Sequence, residues 1–391
     1  MCMLVTIVTP SYNQGKFIRA TIESVLTQDY PEIEYIIMDG GSTDETAQVV
    51  AEYAGRLTWI SEKDRGQSHA INKGFRMAKG EIVAWLNSDD ILLPGAVTHA
   101  VNAFRKSPKA GAIYGEGYLI DYDGNVTSRF PVTEKFNLWK LVYVSDYILQ
   151  QTVFFRKAVL EEIDYVDESL HWGMDWDVLI RIGKRYKLVY IPEYMGCLRE
   201  YAEAKTSSGG PRRFRELAQI LRRHGSMRYP PGYIIYGLDT YIRVWRDWIG
   251  RWVPTAFLKT KLQQVVNLVC GKVIERTIRE CQGWYSDGWA SETVRLMLPP
   301  GSGQIKIHGM LPDMGAHLNE QTVVVFCEGE MVHSERLSCG DFCIEFPLQQ
   351  QPSSVVNLTL VASRTCTPAE IGESTDRRRL AYLLKDVDWA D

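Results

Sequence analysis

Over residues 1–110, short β-branched runs alternate with stretches of helical spacing, and most of the runs end in polar turn residues. Leu4–Thr9 reads as a strand and Ile33–Met38 as the next. Between them, Phe17, Ile18, Thr21, Ile22, Val25 and Leu26 give Lys16–Gln28 the spacing of a helix. Ser42-Thr43-Asp44-Glu45 has the pattern of a capping box opening a helix to Tyr53. Leu57–Ser61, Gln67–Ala78 and Ile82–Leu86 continue as strand, helix and strand, and Pro94 opens a further helix. This alternation leaves few architectures open. It predicts a largely parallel sheet with helices on both faces, in which ligands bind at the carboxyl ends of the strands.

Three of those ends are Thr9-Pro10-Ser11-Tyr12-Asn13, Asp39-Gly40-Gly41-Ser42 and Asn87-Ser88-Asp89-Asp90. Ordinary turn chemistry explains any one of them. Together, with Asp44 and Asp64 nearby, they predict a site on one sheet edge. Adjacent carboxylates such as Asp89 and Asp90 repel unless a cation sits between them. Oxygen ligands without His or Cys suit Mg²⁺ or Mn²⁺, which use one or two carboxylates and complete their shell with substrate phosphates. The first strand is followed by neither a P-loop nor a Gly-x-Gly-x-x-Gly pattern. Phosphate must then be held by metal and scattered polar groups, and a nucleotide is the economical substrate.

The chain has 391 residues, enough for two domains, and its net charge of −4 gives no general reason to expect nucleic acid. No stretch of about 18 apolar residues suggests a membrane span. The start lacks a basic n-region and a cleavage site, so no signal peptide is expected. The eight cysteines are scattered, Cys339 and Cys343 coming nearest to a pair, which suggests a reducing cytosol. Residues 111–205 read as mixed α/β, with Asp175–Tyr186 helical and Leu188–Ile191 a strand. Residues 211–280 read as helical and basic, with fourteen Lys or Arg against five Asp or Glu and with Trp245, Trp248 and Trp252 on one face. From Trp284 onward, runs at Gln304–Gly309, Thr322–Glu328, Phe342–Phe346 and Val355–Ala362 predict an antiparallel β-sandwich. The expected parts are residues 1–210, 211–280 and 281–391.

The fragments "TIVTPSYNQGKFIRATIESVLTQDYPEIEYIIMDGGSTDET", "SEKDRGQSHAINKGF", "EIVAWLNSDD" and "GMDWDVLIRI" occur in this order and together resemble family-two glycosyltransferases with the GT-A fold. The resemblance covers about residues 3–206, roughly half the chain, and is closest to bacterial members with a Lys-Thr pair near the domain end, here Lys205-Thr206. It implies that Thr9, Pro10, Ser11 and Tyr12 form the loop holding the nucleotide base and that Asp39 bonds that base. It places Asp64 and Gln67 in the segment closing over the nucleotide. Asn87-Ser88-Asp89 takes the Asp-x-Asp position, where Asp89 coordinates the metal, Asn87 bonds a ribose hydroxyl without bringing a charge, and Asp90 offsets the missing carboxylate. Asp175 matches the aspartate that takes the proton from the acceptor hydroxyl, and Met174 stands where the family has Glu. A carboxylate in reach of an alcohol can accept its proton as attack proceeds. As a helix cap alone, Asp175 would also be favoured.

Softer candidates for the acceptor or sugar are Trp172, Asp177, Arg199 and Lys205; His69 and His171 read more simply as surface or packing residues. The implied activity is a metal-dependent, inverting transfer of one sugar from a nucleoside-diphosphate donor, UDP-linked by expectation, to a glycan or lipid-linked glycan in bacterial surface polysaccharide assembly. A cytoplasmic location is expected, at the inner face of the membrane if 211–280 rests on anionic lipid. The appended sandwich reads as a carbohydrate binder with Trp284, Tyr285 and Trp289 as platforms, or as a folding or dimerisation module. Two rivals remain open. One is a sugar nucleotidyltransferase, which would carry a Gly-rich basic loop where "TPSYNQG" stands. The other is an inactive carbohydrate-binding protein, supported by Asn87 and Met174.

Overall fold

The strands near the amino terminus are parallel, as the alternation requires. In the computed structural model β1 (Val5–Ser11) pairs in parallel with β2 (Ile33–Asp39) on one side. The helix α1 (Gly15–Leu26) makes the crossover between them, burying Phe17, Ile18, Thr21, Ile22 and Val25. After α2 (Thr46–Ala51), β3 (Thr58–Ser61) extends the sheet beyond β2, again in parallel. The helix α3 (Gln67–Met77) returns the chain to β4 (Ile82–Trp85), which pairs in parallel with the free side of β1. A close approach fixes α3 on the sheet: a Cβ at Gly74 would lie 2.3 Å from Val8 Cγ1. The structure describes residues 3–249 except 132, 202 and 206–208, and residues 282–390 except 286–287, 302, 314–317, 319, 349–353, 370–375 and 377. The side chains of 243 and 246–249 are also outside the description, so the expectations for Trp248, Trp252, Thr206 and all of 250–281 fall beyond it.

After the short strand β5 (Ile91–Leu92), α4 (Ala96–Lys106), β6 (Ala112–Ile120), β7 (Val126–Arg129) and α5 (Leu138–Tyr143), the pattern changes. The strand β8 (Phe154–Arg156) pairs antiparallel with β4 and β6. Then follow α6 (Lys157–Glu162), α7 (Met174–Gly183) and β9 (Leu188–Arg199), the last running parallel to β6. The main path of the sheet is β3-β2-β1-β4-β8-β6-β9-β5, with β7 paired to β6. It is a mixed α/β sheet, parallel in its first half. The capping box expected at Ser42–Glu45 is not formed. Ser42 Oγ donates to Asp39, while Asp44 accepts from Gly15 N and Thr46 N and Oγ1, so the helix there is short and begins at Thr46. The strand expected at Leu188–Ile191 runs on to Arg199, because β6 offers it a long partner.

By contacts the chain forms two units, Met1–Phe136 with Asp146–His224, and Asn137–Ser145 with Gly225–Asp391. The amphipathic helix α8 (Gly210–His224) belongs to the first unit and buries Phe214, Leu217, Ala218, Ile220 and Leu221. The helix α9 (Pro231–Ile249) belongs to the second. The second unit contains two four-stranded antiparallel sheets built from β10 (Trp289–Ala290), β11 (Thr293–Leu298), β12 (Gln304–Leu311), β13 (Glu320–Cys327), β14 (Glu330–Ser338), β15 (Gly340–Pro347), β16 (Val356–Ala362) and β17 (Tyr382–Trp389). Their orders are β10-β17-β12-β15 and β11-β16-β13-β14. Alternate residues of both sheets, such as Ile305, Ile307, Val323, Val325, Phe346 and Leu358, enter one shared core. That is the sandwich which the period-two pattern predicted.

Candidate functional site

The carboxyl ends of β2, β1 and β4 lie side by side, so the three polar turns share one edge. The turn after β4 is held from within. Thr21 Oγ1 donates to the carbonyls of Ser88 and Asp90, at 2.9 and 2.8 Å. Asp90 is 1% exposed, and three N–H groups point at its oxygens: Gln151 Nε2 at 2.6 Å, Asn87 Nδ2 at 3.0 Å and Arg199 N at 3.0 Å. Burial and the neighbouring Asp89 nevertheless push its carboxyl up, to about 8. Asp90 was expected to help hold a cation. Its oxygens are turned inward and engaged, so it braces the turn instead.

Asp89 is half-buried, and Tyr201 Oη donates to its Oδ2 at 2.8 Å. Burial raises its carboxyl above the usual range, against the pull of Tyr201 and the Arg199 charge. Arg199, a softer candidate for the acceptor or sugar, is 5% exposed. It gives Nε to the Asp89 carbonyl and Nη1 to the carbonyls of Asp121 and Tyr122, with its guanidinium over the Phe17 ring. It is a clamp behind the turn. No group of three or more His, Cys, Asp or Glu forms a ready-made metal cage among the described residues. The donor set still fits Mg²⁺ or Mn²⁺, since these ions are often held by one or two carboxylates with water and substrate phosphate completing the shell.

On the β1–β2 side, Thr9 Oγ1 lies 3.0 Å from Tyr35 Oη, and Thr9 and Pro10 are buried in the wall. Ser11 Oγ is buried with no hydrogen-bond partner, and Tyr12 next to it is 62% exposed. Asp39 accepts from Gly41 N, Ser42 N, Ser42 Oγ and Ser61 Oγ, so it builds the 40–42 turn. Asp64 lies against that turn: a Cβ at Gly40 would sit 2.7 Å from Asp64 Oδ2. An orphan hydroxyl, an open aromatic ring and a carboxylate thus line this end of the edge.

The opposite wall is α7. Ser68, in the first turn of α3, donates to the Leu170 carbonyl and touches Met174 Sδ at 2.8 Å, which brings α3 against the residue before Asp175. Gln67 Nε2 donates to Asn87 Oδ1 at 2.7 Å, and Lys205 Nζ donates to Gln67 Oε1 at 2.7 Å. Lys205 in turn feels the charge of Asp175 and, through burial, is lowered to about 8. Hydrogen bonds thus run from the Asn87 turn through Gln67 to Lys205, which senses the Asp175 charge. Burial raises the Asp175 carboxyl, and Lys205 and Arg213 moderate the rise. Asp146 faces the same group; burial and the Asp175 charge raise it well above the ordinary range.

Asp177 points elsewhere. It is fully buried, 2.7 Å from Arg181 Nε, 2.7 Å from His224 Nε2 and 3.4 Å from Arg223 Nη1. Trp172 is half-buried, its indole N–H has no partner, and a Cβ at Gly209 would touch it. His69 Nδ1 accepts from Arg65 N, and His171 is exposed against the Trp172 ring. Sequence reading missed Tyr201, Gln151, Asp146 and Arg213, because each acts from a segment far along the chain. The Gln150-Gln151 pair was visible, but nothing local said that Gln151 faces Asp90.

Residues 6–163 match the family profile described as Glycosyl transferase family 2. The matched residues lie within the first unit, apart from Asn137–Ser145. An uncharacterized glycosyltransferase of Rickettsia bellii is 30% identical over 187 residues, 46% of this chain and 27% of that protein. The chondroitin synthase of Escherichia coli is 31% identical over 187 residues, 46% of this chain and 26% of that protein. Glycosyltransferase RP339 of Rickettsia prowazekii, also uncharacterized, is 27% identical over 212 residues, 52% of this chain and 66% of that protein. The chain therefore spans between 26% and 66% of the length of these relatives. Among solved structures, S. aureus TarS 1–349 in complex with UDP-GlcNAc aligns with a TM-score of 0.47 at 17% identity, over 72% of this chain and 93% of that one. The mannosyltransferase PcManGT of Pyrobaculum calidifontis, in complex with GDP-Man and Mn²⁺, aligns with a TM-score of 0.44 at 20% identity, over 62% and 70%. Asn87, Asp89 and the Tyr12 loop lie inside the family 2 match, whereas Asp175, Tyr201 and Lys205 lie beyond its end.

Proposed function

We propose that the chain is an inverting glycosyltransferase that moves one sugar from a nucleoside-diphosphate donor, UDP-linked in the first instance, to a hydroxyl of a glycan. The observation that most supports this reading is the hydrogen-bonded path Asn87–Gln67–Lys205, whose last member senses the charge of Asp175. Ser11, Tyr12 and Asp64 seat the nucleoside. Asp89 would hold Mg²⁺ or Mn²⁺, which when bound neutralises charge on the departing diphosphate. Gln67 and Asn87 orient the ribose and phosphate side. Asp175, raised by its dry surroundings, accepts the proton of the acceptor hydroxyl as that oxygen attacks the anomeric carbon.

The acceptor is read as a surface glycan or its lipid-linked form. A peripheral lipid contact is supported by the exposed stripe Ile234, Leu238, Tyr241 and Trp245 on α9, within an arginine-rich sequence. No described helix is long and apolar enough to cross a membrane. The test is thermal unfolding of the wild type and Asp89→Ala with UDP, with Mn²⁺, and with both. Ligand at about a hundred times its dissociation constant adds about 2.7 kcal/mol. The expected outcome is stabilisation by UDP only with metal, lost in Asp89→Ala. Indifference of the wild type to UDP, GDP and dTDP, each with metal, would refute the donor site.

A further inference from the structure

Beside the loop that delivers Asp175 lies a polar groove of about 370 Å³ between Ser169-Leu170 and one flank of α8. Arg212, Arg215, Gln219 and Arg223 line it, at helical positions i, i+3, i+7 and i+11, which share a face. The helix buries its apolar stripe on the sheet side, so these side chains are directed outward. A bland solvated face would pair such charges with acids one turn away. Here the one acid of this flank, Glu216, is diverted: its oxygens accept the backbone N–H groups of His171, Trp172 and Gly173 at 2.9, 2.6 and 2.8 Å. Arg223 is anchored by Asp167 at 2.7 Å. Among the described residues, neither Arg212 nor Arg215 forms an ion pair or hydrogen bond.

The groove is therefore concave, cationic and partly preorganised. Glu216 holds the N–H groups of His171, Trp172 and Gly173, so the groove lies against the segment that leads into Asp175. Guanidinium groups match phosphate oxygens in paired, charge-assisted bonds. We infer that this groove holds a phosphate group of the acceptor, so that the acceptor is a phosphate-bearing glycan. This rests on the reading of Asp175 as the acceptor's base. The same chemistry is offered by a lipid-borne phosphate and by a soluble phosphorylated saccharide.

The test titrates inorganic pyrophosphate into the full chain by calorimetry, with EDTA present so that the donor site lacks its metal. Wild type is compared with Arg212→Gln/Arg215→Gln, two exposed positions whose replacement leaves the unfolding midpoint as a check on folding. The expected result is salt-sensitive binding by the wild type that weakens at least about tenfold in the double variant, the scale of one or two charge-assisted bonds. Equal binding by both proteins, or none by the wild type, overturns the inference. Cosedimentation with phosphatidylglycerol and phosphatidylcholine vesicles then separates the sources. Arginine-dependent pelleting with the anionic vesicles assigns a lipid-borne phosphate, and pyrophosphate binding without it assigns a soluble one. The donor reading is scored apart: a wild type that answers to UDP with Mn²⁺ but not to pyrophosphate loses only the groove.

Discussion

Asp175, the expected base, and Asp177, a softer acceptor candidate two residues on, have different surroundings, which makes their replacement by asparagine unequal. Asp177 is completely buried, and its charge is answered by Arg181, His224 and Arg223. Burial alone would raise its carboxyl, but the His224 contact and the Arg181 charge outweigh this and hold it below the ordinary value. Removing one partner of a buried pair costs about 3–5 kcal/mol, because the other charge is stranded. Arg223, with 47% of its side chain exposed, can turn to water. Arg181, 23% exposed and also bonded to the carbonyls of Ile163 and Tyr165, cannot easily follow. Asp177→Asn should therefore cost near the lower bound, about 3 kcal/mol.

Among the described residues Asp175 makes no ion pair, and its Oδ1 accepts the N–H of Trp176 in the first turn of α7. The helix terminus favours its charge by about 0.3–1 kcal/mol, and desolvation opposes it, so Asp175→Asn should stay within about 1 kcal/mol of wild type. Urea unfolding gives the global value, and hydrogen exchange of the Met174–Gly183 amides reads the same helix locally. The pH dependence has a definite sign. The depressed Asp177 carboxyl contributes stability that is fully present above its unfolded value of 3.8 and lost as pH falls through the folded one. The gap between wild type and Asp177→Asn should narrow as pH drops below that value. If Asp177→Asn is neutral at pH 7 while Asp175→Asn unfolds the helix, the assignment of the two residues is reversed and the reasoning fails.

Three further outcomes follow. Asp175→Asn should lower turnover about 10²–10⁴-fold while UDP with Mn²⁺ still stabilises the protein; loss of nucleotide response together with turnover would contradict its placement on the acceptor side. Asp146 is raised well above the ordinary range by burial and by the Asp175 charge, so it stays protonated while Asp175 ionises, and Asp146→Asn should leave the acid limb of the kcat/KM profile in place. A limb that moves to lower pH would show that Asp146 is already charged when Asp175 titrates. Gly74→Ala would drive a methyl into Val8 and should destabilise the first unit by about 1–3 kcal/mol, seen as a lower urea midpoint.

The sequence by itself determined the α/β half and the sandwich, because both rest on short-range periodicity. Ile33–Asp39 and Gln304–Leu311 are strands for reasons written within a few residues: β-branched side chains in one, strict alternation in the other. It also placed the three polar turns on one edge, since parallel strands align their carboxyl ends. Only the tertiary structure decided what each carboxylate does. Asp89 and Asp90 are neighbours of identical chemistry, yet one meets Tyr201 and the other meets Gln151 and Arg199 N. Those partners come from 61 to 112 positions away, and no local pattern encodes them. The same holds for Asp177, whose charge is answered by α8, and for Asp175, whose companions Asp146 and Lys205 belong to separate segments. Periodicity is a property of adjacent residues, whereas the ionisation and availability of a carboxylate depend on which distant atoms exclude water around it.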